Sequence, residues 1–254
     1  MSDKVLAGPV RESSHEPLLR VSTRTIAGLA AVLGFILLAM LVAPTRSLIE
    51  RIDAAWIDFM VDSELSALVD VSWVLAALGT SIVTVPARLL VAAYLAVRKR
   101  WISVGYWVLA TAGTDLVIGA LKGSFGRERP DVALDTARNS AFPSGHSAIA
   151  IAIGIAMVVI ATQTRDRRRW WFPAAAGFGL LMAVSRTYLR VHWLSDVVAG
   201  LVIGAGVSLA AAWVVRSIQV RTTPDIRAAR DRIPEPAQER NPRLGSGPLD
   251  EDQQ

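Results

Sequence analysis

Three short polar islands interrupt an otherwise apolar chain, and their residue types are those of phosphate chemistry. The first runs from Lys122 to Pro130 and carries Lys122 and, seven residues on, Arg129. Lysine offers a compact charge, and arginine a planar fork able to hold two phosphate oxygens. The second island is Pro143-Ser144-Gly145-His146. If Ser144 and Gly145 open a helix, their free backbone N–H groups favour a bound anion and His146 falls in the first turn. The third holds Arg186, His192 and Asp196. His192 and Asp196, four apart, share one helical face. A carboxylate beside an imidazole fixes its tautomer and supports the cation formed during reaction. Together the islands hold the inventory for transferring a phosphoryl group without a metal.

Taken singly, each island has a plain structural alternative. Lys122 and Arg129 fit a pair of interfacial anchors at a helix end. Pro-Ser-Gly before an apolar run fits an N-cap, which accounts for Ser144 but not for His146. His192 and Asp196 fit a pair that caps a helix. Histidine usage weighs on the other side. The chain has three histidines; His15 lies in the N-terminal segment, while His146 and His192 each open an apolar run. One can serve as nucleophile and the other as acid–base.

The elements that must position these groups are apolar and long. The chain has 254 residues, 52% of them hydrophobic and 19% charged, with a mean hydropathy of +0.40. No Asp, Glu, Lys or Arg occurs in 25–45, 71–87, 101–114, 139–164, 170–185 or 197–215. A bilayer core takes roughly 20 apolar residues per helix. The expectation is therefore an all-α polytopic membrane protein with six transmembrane helices in one bundle, at roughly 25–43, 80–97, 101–121, 144–162, 170–188 and 192–215. Between the first two, Ile49, Ile52, Trp56 and Phe59 recur at helical spacing, with Glu50, Arg51, Asp53, Asp58 and Asp62 among them. That pattern predicts an amphipathic interfacial helix, continued around Leu65, Leu68 and Val69 by a second short one.

Residues 1–24 read as a cytoplasmic tail without a cleavable signal pattern, 25–215 as the membrane domain, and 216–254 as a disordered cytoplasmic tail. Short loops set the orientation. Arg98-Lys99-Arg100 and the arginine-rich 165–169 are basic, as is the start of the C-terminal tail, whereas 45–79 is net acidic. The positive-inside rule puts the basic loops and both termini in the cytoplasm and the three islands on the extracytoplasmic side. The net charge of +5 does not argue for nucleic acid, since the basic residues sit at the ends of apolar runs and in the tails. Without a cysteine, the chain offers no disulfide, zinc-thiolate or thiol nucleophile.

In order and internal spacing the islands resemble the three motifs of the type 2 phosphatidic acid phosphatase (PAP2) superfamily. The resemblance spans 75 residues, from Lys122 to Asp196, with no departure at a key motif position. It implies a membrane lipid phosphatase acting on a phosphate or diphosphate ester of the undecaprenyl diphosphate or phosphatidate type, with the bilayer as its other partner. By resemblance, His192 attacks phosphorus to form a phosphohistidine, Asp196 orients it, and His146 is the acid–base. Lys122, Arg129, Ser144, Gly145 and Arg186 hold the phosphoryl oxygens, and neither a metal nor another cofactor is implied. The same family includes soluble vanadium haloperoxidases, which six lipid-length runs disfavour. A different class, a lipid-binding or transport protein without turnover, would use the intramembrane charges Arg88 and Asp115 as a polar path, although no internal repeat supports it. A scaffold protein would leave the islands without a purpose. Arg88 and Asp115 fall at matched depth in the second and third spans, so they are expected to pair inside the bundle.

Overall fold

Long runs of Ala, Leu, Ile and Val with few internal breakers favour helix, and in lipid each backbone polar group must find its partner within the segment. The computed structural model describes residues 43–135, 139–161 and 165–222, with scattered positions between 22 and 31. Among these are seven α-helices: α1 (Ala43–Asp62), α2 (Ser66–Leu78), α3 (Ser81–Val97), α4 (Trp101–Phe125), α5 (Gly145–Ala161), α6 (Arg165–Tyr188) and α7 (Leu194–Thr222). The site described below lies within one unit, Met1–Ile218.

α5 is apolar round its circumference and mostly buried, with Met157 exposed toward its C-terminal end; such a helix belongs at the centre of a bundle. α4 and α6 pack against it. α7 reaches it through close approach, since a Cβ on Gly204 would lie 2.0 Å from the Ala148 carbonyl oxygen and one on Gly200 would lie 2.4 Å from that of Ser144. Two small residues one turn apart thus bring the backbones of α5 and α7 nearly into contact. Leu95, Tyr106, Trp107, Ile151, Ile155 and Ala212 form the main apolar cluster where α3, α4, α5 and α7 meet. Outward faces are also apolar: Ile82 is 83% exposed, and Leu89, Leu90, Val97 and Leu116 are exposed as well. A continuous apolar exterior of this kind is a surface for lipid.

α4 and the Leu194–Gln219 part of α7 are each long and apolar enough to cross a membrane. α2 and α3, bent by 50° at the Gly79–Thr80 break, pass together as one broken span, and α5 is apolar but shorter. The expectation of six separate spans is thus met by two helices, or three with the bent pair, among the described residues. Most of the first expected span, 25–43, and most of both tails lie outside the described residues. The short helix expected around Leu65–Val69 is α2, which carries Asp70 as its one charge and forms a bent apolar pair with α3. One local expectation is corrected. In α1, the inward stripe is Asp53, Ile57 and Met60, while Ile52 and Phe59 face out. The expected apolar stripe is turned because Asp53 has buried partners, described next.

Candidate active site

α4 ends at Gly126, whose φ of +55° is the left-handed cap that glycine adopts without a Cβ clash. The turn sends the first island back across the bundle. Lys122, in the last turn of α4, donates from Nζ to the Ser140 carbonyl oxygen. Arg129 donates from Nη1 to the Val191 carbonyl at 2.5 Å and from Nη2 to Asn139 Oδ1 at 2.6 Å. The first island is thereby fastened to the loop before α5 and to the turn before α7.

The second and third islands meet through the backbone: the Ser144 N–H donates to the Asp196 carbonyl at 3.0 Å. Ser144 is fully buried, and its Oγ accepts from Ser147 Oγ at 3.1 Å. Gly145 is the first residue of α5, and His146 follows it in the first turn. The His146 ring lies over the C-terminal end of α2, with Nε2 3.1 Å from the Ala76 carbonyl oxygen. A Cβ at Gly79 would come within 2.4 Å of that ring, so the break between α2 and α3 makes room for the imidazole.

His192, in the turn before α7, and Asp196, in the first turn of α7, are both buried. Nδ1 of His192 lies 3.5 Å from Asp196 Oδ2 and has no hydrogen-bond partner among the described residues. The contact is electrostatic at that length. Burial pushes the His192 imidazole down to about 4; the Asp196 carboxylate opposes the shift, and the Arg129 and Arg186 charges add to it. At neutral pH the ring is a neutral base with a carboxylate on its Nδ1 side. Arg186, in the last turn of α6, is buried, and its Nε has no partner among the described residues. An unpaired guanidinium nitrogen beside a histidine is a ready anion contact.

Three features of the site are absent from the sequence-based expectation. Arg127 donates from Nη1 to Asp196 Oδ1 and from Nη2 to Asp53 Oδ2, each at 2.6 Å. Ser195 donates to Asp53 from its N–H at 2.8 Å and from Oγ at 2.6 Å. Trp193 donates its N–H to Asp196 Oδ2 at 2.9 Å and its indole N–H to the Glu128 carbonyl at 2.9 Å. The available signal for Asp53 was its spacing from Ile49, Ile57 and Met60, which puts a carboxylate on an apolar helical face. Arg127 was a third basic residue inside the first island. Away from the site, Arg88 Nη1 and Asp115 Oδ2 lie 2.6 Å apart and join α3 to α4.

The family model of the PAP2 superfamily matches residues 103–219 of the chain. Lipid A 1-phosphatase of Porphyromonas gingivalis is 35% identical over 98 residues, which are 39% of this chain and 20% of that protein. The chain therefore spans about one fifth of the length of that curated relative. The crystal structure of a transmembrane PAP2-type phosphatidylglycerolphosphate phosphatase from Bacillus subtilis superposes with a TM-score of 0.65 at 22% identity, covering 79% of this chain and 98% of that one. That of Aquifex aeolicus LpxE gives a TM-score of 0.49 at 20% identity, covering 63% and 92%.

Proposed function

We propose that the chain belongs to the PAP2 superfamily, whose model matches residues 103–219, and that it is an integral membrane lipid phosphatase. Its substrate is a phosphate or diphosphate ester of the undecaprenyl diphosphate or phosphatidate type, hydrolysed at the extracytoplasmic face without a metal. The observation that carries this reading is the convergence of three separate islands on the buried His192–Asp196 pair, with Arg186 Nε left unpaired among the described residues.

In the proposed reaction Asp196 holds His192 with its proton on Nδ1, so the Nε2 lone pair attacks phosphorus. The P–N bond forms as the P–O bond to the lipid, or to its inner phosphate, breaks. His146 gives its proton to the departing oxygen. It then takes a proton from water, which attacks the phosphohistidine and releases inorganic phosphate. Lys122, Arg129 and Arg186, with the N–H group of Gly145, stabilise the charge on the equatorial oxygens, while the Ser144 N–H, expected free, donates to the Asp196 carbonyl and holds the turn instead. Lys122 and Arg129 hold backbone carbonyls with some of their donors and keep others for the ligand. A site at helix ends suits a substrate with its phosphate at the interface and its tail in lipid. The basic segments 98–100, before α4, and 165–169, at the start of α6, stand at the other ends of the same helices, which supports an extracytoplasmic site.

The test is phosphate release by the purified protein in detergent with a chelator present. Undecaprenyl diphosphate, phosphatidate and phosphatidylglycerophosphate are assayed side by side. Wild-type protein is expected to turn over at least one of them and His192→Ala none. Full activity in His192→Ala rejects the mechanism.

A further inference from the structure

We propose that Asp53 and Arg127 are positioning residues for the nucleophile, a role that rests on the phosphohistidine reading above. Arg127 is gripped between two carboxylates, Asp196 Oδ1 on its Nη1 side and Asp53 Oδ2 on its Nη2 side. Ser195 closes the ring: its Oγ accepts from Arg127 Nη1 at 2.7 Å, and it donates twice to Asp53. One face of the guanidinium is covered by the Trp193 ring, whose centroid lies 5.4 Å away. With Oδ1 of Asp196 held by Arg127, the carboxylate has one orientation, and in it Oδ2 faces His192 Nδ1.

The composition of this network points to aim rather than to stability. A buried ion cluster seldom stabilises a fold better than apolar packing of the same volume. What it supplies is a single geometry. It is also unbalanced, with two carboxylates to one guanidinium, and one of those carboxylates, Asp196, lies beside the imidazole that gains positive charge. Its anchor is remote in sequence: Asp53 and Arg127 are 74 positions apart and Asp53 and Ser195 142. α1 is thereby coupled to the nucleophile, so the placement of a helix at the edge of the bundle sets the aim of His192. An outer carboxylate that orients a reactive histidine through an intermediary is the arrangement known from metal sites.

The test compares Asp53→Asn, Arg127→Gln and the double variant with wild type in detergent. The substrate is whichever of undecaprenyl diphosphate and phosphatidate the wild type hydrolyses. Each single variant is expected to lower kcat by about 10- to 100-fold, the range seen when outer carboxylates behind histidine ligands are removed, with KM little changed. The double variant is expected to be no worse than the poorer single one, since both act through Asp196. Nitrogen-15 NMR of histidine-labelled protein, with His192→Ala assigning the signal, is expected to show an Nδ1–H tautomer in wild type and a mixture in Arg127→Gln. Wild-type kcat in both single variants overturns the proposal, as does an unchanged tautomer in Arg127→Gln. If neither of these variants elutes as a folded species, Arg127→Lys, which keeps the charge but loses the fork, is read the same way. Full activity in His192→Ala sinks the phosphohistidine reading instead, and the tautomer measurement still judges the network by itself.

Discussion

Two ion-paired clusters of equal bond length sit in very different surroundings. Arg88 and Asp115 join α3 to α4 at 2.6 Å, with the Asp115 side chain 53% exposed. Arg127 meets Asp53 and Asp196 at the same 2.6 Å, but those carboxylates are 1% and 0% exposed and each has further donors. The difference teaches that length does not rank such contacts; burial and the number of partners do. The pair between α3 and α4 rests on one bond, so losing Arg88 leaves one carboxylate without its counter-charge. The buried cluster holds more at once, because losing Arg127 leaves two carboxylates without theirs.

The largest expected effect follows from that contrast. Arg127→Ala leaves two buried carboxylates without their counter-charge and is expected to cost about 3–5 kcal/mol of stability. Arg88→Ala should cost much less. Thermal unfolding in detergent measures both, and equal losses would break the comparison.

Next comes a pH dependence at His192, beside the buried cluster. Above pH 6.5, His192 is neutral folded and unfolded, so it contributes no slope. Between 6.5 and its folded value of about 4, the unfolded chain binds a proton that the folded protein refuses. Stability therefore falls as the pH falls through this window, by on the order of 3 kcal/mol at its lower end. Unfolding midpoints from pH 7.5 down to pH 4.5 test this: wild type should fall more steeply than His192→Gln, and parallel curves would contradict it.

Packing ranks third. A methyl at Gly204 meets the Ala148 carbonyl, and Gly204→Ala is expected to cost about 1–3 kcal/mol by forcing α5 and α7 apart. Activity should fall with it, because those two helices carry His146 and Asp196. Wild-type stability and turnover together would show that backbone proximity does not hold the site. The smallest effect is expected at the half-exposed pair itself. A double-mutant cycle on Arg88 and Asp115 should yield a coupling of about 0.6 kcal/mol, the average for polar contacts between membrane helices. It should add independently to the Arg127 variants; a coupling as large as that of Asp53 with Arg127 would erase the distinction drawn above.

The same contrast marks what residue order made legible. His192 and Asp196 are four apart, a spacing read as one helical face; the structure brings them together instead through the turn before α7, where the Trp193 N–H also meets Asp196. Arg88 and Asp115 were matched by depth, a one-dimensional argument that suits straight helices crossing a slab. Asp53 was placed on the outer polar side of α1 because it stands among Glu50, Arg51 and Asp58. Local composition could not register a partner 74 positions away. Arg127 was passed over because the island containing it was read for Lys122 and Arg129, whose spacing matched a motif. The pairing of α2 with α3 also escaped a reading by charge-free runs, since Asp70 interrupts the run that the bent helices share.

Residue order by itself determined the helical, lipid-suited character of the chain and the three polar islands, because both rest on composition and on spacings within a few turns. It also put His192 and Asp196 four apart, although the turn before α7, and not a helix carrying both, is what brings them together. The tertiary structure alone decided which face of α1 turns inward, how α5 and α7 approach at Gly200 and Gly204, and that Arg127 stands between Asp53 and Asp196. The physical reason is that periodicity acts over a few residues, whereas the partner of a buried charge is chosen wherever in the chain the fold brings a counter-charge within reach.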